Sequence, residues 1–170
     1  MKKSSPFSLK LFLFGFTILL ASLYSCNSTK KDTTVEDNIR MYTHVWDQII
    51  NQRRLDLFND SNFTKNVVMH VSPADLVGID SARAYYANFT TGFSDITFTI
   101  IDVFGQGEKL VKHWNFKGTH TGLFFGIPAT GKKVDIDGVT LVRMENGKIA
   151  EERDFFDNLE FSQQLGIIPR

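Results

Sequence analysis

Few side chains in this 170-residue chain can do chemistry: four histidines, one cysteine and 19 acidic residues. His120 ends a stretch in which Leu110, Trp114, Phe116, Gly118 and His120 interleave with His113, Asn115, Lys117 and Thr119. Successive side chains of a strand point to opposite faces, so the first set shares an apolar face and carries His120 beside Trp114 and Phe116. On that face His120 is either a pocket group or a core histidine satisfied by a backbone carbonyl. His113 is expected to point outward, and His44, two residues from Trp46, to lie on the surface or at a rim. Asp157 stands between the last strand and a short closing helix, where it either faces a pocket or caps the helix. The histidines show no metal-ligand spacing, so no metal site is expected. Ser72 and Ser81 have no base nearby in sequence and no nucleophile-elbow context. The glycines from Gly118 to Gly131 do not join a strand to a helix as a dinucleotide-binding loop must. What remains is proton transfer by histidine and carboxylate groups.

These residues need elements to position them. Thr34 with Asp37 three residues on resembles a capping box. The helix it opens carries Ile39, Tyr42, Trp46, Ile49 and Ile50 on one stripe, with Glu36, Arg40, Asp47 and Arg54 solvated. Leu55 to Phe58 reads as a short second helix, and Val67 to Val71, which contains His70, as a short strand ended by Ser72-Pro73. Ser81 is expected to cap a helix through Tyr85, Tyr86 and Phe89. From Ile96 the period changes to two, giving strands over Ile96 to Phe104, Lys109 to His120, Val134 to Met144 and Ile149 to Asp157. Asn146-Gly147 is a strong hairpin signal, and a short helix over Leu159 to Leu165 closes the chain. Helices first and strands afterwards specify an α+β fold. A long curved antiparallel sheet with helices across one face encloses a conical cavity, the place for a small apolar ligand. Trp46, Trp114 and Phe116 are its expected lining. Twelve of the 16 phenylalanines follow residue 25, enough for a core, an apolar pocket, or both.

The first 25 residues read as an export signal. Lys2, Lys3 and Lys10 precede an apolar run from Leu11 to Ala21, about as long as a signal core and short of the ~20 residues of a spanning helix. Leu23-Tyr24-Ser25-Cys26 follows and resembles the bacterial lipobox, with Tyr24 at a position usually held by a small residue. The expectation is a mature chain lipidated at Cys26, with residues 26–33 as a polar tether and residues 34–170 as one domain at the cell envelope. Cys26 is the only cysteine, so the domain holds no disulfide and no thiolate nucleophile. Removing the three signal lysines takes 19 basic against 19 acidic residues to 16 against 19, a net charge of −3. That balance offers nucleic acid no electrostatic footprint.

Gly118-Thr119-His120-Thr121-Gly122-Leu123-Phe124-Phe125-Gly126-Ile127-Pro128-Ala129-Thr130-Gly131-Lys132 is too specific for generic loop. It resembles the GTHxGxxxGxxPTGK segment of the SnoaL-like polyketide cyclases, or ester cyclases, with Ala129 in place of a frequent second proline. Val67 to His70, Arg143 to Ile149, and Asp157 with Gln163 to Gly166 agree in order and spacing, so the likeness covers nearly all of the mature domain. It implies the cone of the nuclear-transport-factor-2-like fold and an intramolecular aldol closure that uses neither metal nor cofactor. Such chemistry needs a base for an acidic C–H and a donor for the developing alkoxide. The resemblance puts the acid–base aspartate on the strand after the Pro/Gly loop, at Asp137 or Asp135. These two share parity, and Asp137 is preferred for its apolar neighbours Val139 and Leu141. The resemblance also implies a pocket role for His70. Relatives commonly carry an aromatic near Arg153, so a buried arginine there implies a more polar pocket.

Two function classes follow. One is a cofactor-free cyclase, isomerase or dehydratase acting on a small apolar carbonyl compound through His120 and Asp137. The other is a domain of the same fold that binds an apolar ligand or a partner at the envelope without turnover, because one fold hosts both. Homodimerisation through the outer face of the sheet is a further expectation.

Overall fold

The computed structural model describes residues 34–169; Cys26, the apolar run before it and the tether lie outside the described residues. Helix α1 (Val35–Asn51) opens as expected, with the Thr34 side chain accepting a hydrogen bond from the Asp37 N–H at 3.1 Å. Its apolar stripe buries Tyr42, Val45, Trp46, Ile49 and Ile50. A single 3-10 turn (Leu55–Leu57) leads to strand β1 (Phe63–His70), the two-residue strand β2 (Leu76–Val77) and helix α2 (Ile79–Gly92). The residue before α2 is Gly78, and no side chain caps that helix, so the cap expected of Ser81 is not formed. Four long strands follow: β3 (Thr97–Gln106), β4 (Lys109–Thr119), β5 (Lys133–Glu145) and β6 (Lys148–Phe156). Helix α3 (Asn158–Leu165) ends the domain.

The strands form one curved, unclosed sheet in the order β2-β1-β6-β5-β4-β3. The pairing of β1 with β6 is parallel and the others are antiparallel. The wholly antiparallel sheet expected from the sequence is corrected at this one seam. Period two locates strands but does not orient a strand that pairs across most of the chain. The hairpin between β5 and β6 turns at Asn146 and Gly147, whose φ values of 51° and 77° are the positive pair that an Asn-Gly turn supplies. One face of the sheet receives α1, packing Trp46 edge-on against Tyr42, Phe58 and Phe63. A second cluster around Phe93, Phe116, Phe124 and Leu165 closes the other end.

Candidate active site

The concave face of the sheet is built in rows. Trp114 of β4, Gly138 of β5 and Phe156 of β6 stand in register, followed by a row of Lys112, Thr140 and Asp154, then one of Leu110, Val142 and Glu152. Gly138 is what lets the first row exist. A Cβ there would lie 2.2 Å from Cζ2 of Trp114, so only glycine allows the indole to lie flat across β5. Trp114 Nε1 then donates to Thr140 Oγ1 at 2.9 Å, and the Thr140 hydroxyl donates onward to Asp154 Oδ1. Tyr86 of α2 donates to the other carboxylate oxygen of Asp154 at 3.3 Å.

Above these rows lies a cavity of about 280 Å³. Its walls are largely aromatic (Trp46, Tyr85, Tyr86, Phe89, Trp114 and Phe156 among them), and its ionisable groups include Lys112 and Asp154. Lys112 is 3% exposed, with its Nζ 4.6 Å from the Trp46 ring centroid and flanked by Tyr42 and Phe98. Burial pulls the Lys112 ammonium below the ordinary lysine range, against the pull of Glu152 and Asp154. Glu152 is buried beside it and accepts a hydrogen bond from the Tyr42 hydroxyl. Desolvation, opposed by the Lys112 charge, pushes its carboxyl up to about 7. The site therefore combines an oriented carboxylate, a desolvated amine and a carboxyl group that titrates near neutrality. A carboxylate and a cation facing one apolar chamber suit proton abstraction next to a carbonyl, with the growing negative charge held by the cation.

A model of the SnoaL-like polyketide cyclases matches residues 36–165, most of the chain. The chain belongs to that family. The aklanonic acid methyl ester cyclase of Streptomyces peucetius is 41% identical over 49 residues, covering 29% of this chain and 34% of that enzyme. The chain thus matches about a third of the length of that curated relative. Among solved structures, a protein of Jannaschia sp. CCS1 assigned to the SnoaL-like polyketide cyclases superposes with a TM-score of 0.73 at 23% identity. That superposition covers 82% of this chain and 98% of the other. TsrD of Streptomyces laurentii gives 0.69 at 22% identity, over 77% and 96%. These likenesses establish the nuclear-transport-factor-2-like fold.

Within this SnoaL-like domain the residues singled out from the sequence divide sharply. Trp46, Trp114, Phe116 and His70 line the cavity. His70 is engaged on both sides, with Nε2 2.6 Å from Glu151 and Nδ1 3.0 Å from Asp75. The hydrogen bond to Glu151 chiefly raises the proton affinity of the imidazole above its ordinary value, and it ties β1 to β6. His120 is fully buried but lies outside the cavity, a correction to its expected pocket position. The Phe93 ring packs against Gly118, where a Cβ would meet it at 3.1 Å, and so closes the cavity face of β4 beyond Phe116. His120 sits past that point against Phe93 and Phe124, with Nδ1 3.1 Å from Thr130 Oγ1.

Asp137 and Asp135 are exposed on the convex face, which corrects the aspartate placement. Asn115 donates to both, and Lys117 pairs with Asp135 at 2.9 Å. The cavity face of β5 carries Val134, Ile136, Gly138 and Thr140 instead. Val139 and Leu141 misled because the convex face is itself partly apolar, with Leu141 48% and Phe155 52% exposed. Arg153 is exposed too, one residue out of phase with buried Glu152, so it does not make the pocket polar. Asp157 caps α3, accepting from the Glu160 N–H at 2.9 Å.

Sequence reasoning missed Lys112, Glu152 and Asp154. The parity that selected Trp114 also selects Lys112, whose charge argued for solvent. On β6, the successive Phe155 and Phe156 hide which set of residues faces inward.

Proposed function

We propose that this domain catalyses cofactor-free proton transfer on a small apolar carbonyl compound, of the cyclase or isomerase kind, with Asp154 as the base. The observation that carries this reading is the Asp154 carboxylate in an aromatic cavity, fixed by Thr140 and Tyr86 with Lys112 in the same row. Asp154 takes the proton from the carbon beside the carbonyl, and the resulting enolate oxygen is stabilised by the Lys112 ammonium. The enolate carbon then adds to a second carbonyl of the same molecule or is reprotonated elsewhere. The family's cyclases support this reading, including the Streptomyces relative named for aklanonic acid methyl ester.

The sequence also supports export, anchoring through lipid at Cys26 and a place at the cell envelope, and the partly apolar convex face supports a homodimer. A second reading, a carrier that holds its ligand without turnover, is favoured by the position of His120 outside the cavity.

Deuterium exchange at the acidic C–H of 1-phenylbutane-1,3-dione, followed by NMR, separates the two. The protein should accelerate exchange, and Asp154→Asn should remove about 10²–10⁴-fold of that acceleration. Binding without acceleration would leave only the carrier.

A further inference from the structure

Lys112 is placed as a nucleophile as well as a cation. Among the described residues its ammonium forms neither a hydrogen bond nor a salt bridge. The faces of Trp46, Tyr42 and Phe98 surround it at 4.6, 5.3 and 5.2 Å from Nζ to the ring centroids. Aromatic faces attract a cation but accept no strong hydrogen bond, so they hold the group in place while leaving its nitrogen free. Lys112 also lines the cavity, and the nearest row-mate with an ionisable side chain is Asp154.

We propose that the Lys112 amine adds to the carbonyl carbon of a small apolar ketone or aldehyde in the cavity and condenses to an imine, with Asp154 relaying the protons. The inference rests on the reading that the cavity accepts a carbonyl compound. In the first step the nitrogen lone pair bonds to the carbonyl carbon, the C=O π pair moves to oxygen, and Asp154 relays one N–H proton from the now four-bonded nitrogen to that oxygen, giving a neutral carbinolamine. In the second, the carbinolamine hydroxyl is protonated through Asp154 and leaves as water while the nitrogen lone pair forms C=N. Protonated at nitrogen, the imine draws electrons from the neighbouring carbon more strongly than the carbonyl did. Asp154 then removes the α-proton to give an enamine, the carbon nucleophile of an aldol closure. Water reverses the condensation and returns the amine. Desolvation of Lys112 favours the neutral, reactive amine.

The test uses the whole chain with 4-phenylbutan-2-one as the probe and sodium cyanoborohydride as the trap, followed by peptide mass spectrometry. The expected result is a reduced adduct at Lys112, at least tenfold above exposed Lys109 or Lys117, and its slower formation in Asp154→Asn. Lys112→Arg keeps the charge and cannot form an imine, so a folded Lys112→Arg protein should bind the probe and lack the adduct. Binding is read in parallel from quenching of tryptophan fluorescence. Probe bound with Lys112 unmodified would overturn the nucleophile and leave the carbonyl-binding cavity intact. A probe that does not bind would overturn both.

Discussion

Lys112 and Asp154 stand in one row across the sheet, each in register with Thr140 on the strand between them. Two strand spacings put their Cα atoms about 10 Å apart, with both side chains on the concave face. The intervening Thr140 donates to Asp154 and so orients one of the pair. The same sheet geometry that builds the cavity thus supplies its lysine and its aspartate.

The first consequence concerns Thr140, which touches Asp154 and Trp114 without reaching the chamber as a charged group. Thr140→Val keeps its shape and removes both hydrogen bonds. It should lower kcat for C–H exchange by about 10–100-fold while KM changes little, because the carboxylate remains but is no longer aimed. An equal rise in KM would place Thr140 in binding instead. Asp137→Asn on the convex face should leave both parameters unchanged.

Glu152 makes stability depend on pH. Its folded-state carboxyl titrates at about 7, above the ordinary 4.5, so the folded protein binds the proton more tightly than the unfolded chain. That contribution is fully present below pH ~4.5 and is lost as pH rises through ~7, on the order of 1–3 kcal/mol. Urea unfolding of the wild type between pH 5 and pH 8 should therefore show stability falling with pH in this window. Glu152→Gln, permanently neutral, should flatten the profile; an unchanged slope would assign the effect to another group.

Gly138→Ala places a methyl group where the Trp114 indole lies, 2.2 Å from Cζ2. The ring must move off β5 and into the chamber. Loss of about 1–3 kcal/mol of stability is expected, together with a shifted tryptophan emission and loss of probe binding. Retained binding with native emission would show that the sheet can absorb the methyl group.

Asp157→Ala distinguishes a cap from a pocket residue. Loss of the hydrogen bond to the Glu160 N–H should cost about 1 kcal/mol in thermal or urea unfolding. C–H exchange activity per folded molecule should remain at the wild-type level.

The local elements were largely legible in the sequence because each rests on short-range physics. The Thr34 cap, the Trp46 stripe, the period-two strands and the Asn146-Gly147 turn all depend on residues a few positions apart. The family was legible too, because the Gly118 to Lys132 segment is specific. Two of the expected catalytic groups were placed elsewhere by the structure. For Asp137 the reason is that alternation sorts a strand into two faces and carries no sign for which is concave; for His120 it is that Phe93 packs on Gly118 and closes the cavity face short of it. Apolar Val139 and Leu141 drew Asp137 to the wrong face, and the charges of Lys112, Glu152 and Asp154 concealed the right one.

By itself, then, the sequence determined an α+β domain, its aromatic cavity walls at Trp46, Trp114 and Phe116, and a single cysteine at Cys26. Only the tertiary structure decided which carboxylate and which cation meet. Register across β4, β5 and β6 sets Lys112, Thr140 and Asp154 side by side although they lie far apart along the chain. Burial under the aromatic rings then lowers the proton affinity of Lys112, because removing water penalises charge, and that environment exists only once α1 and α2 have closed over the sheet.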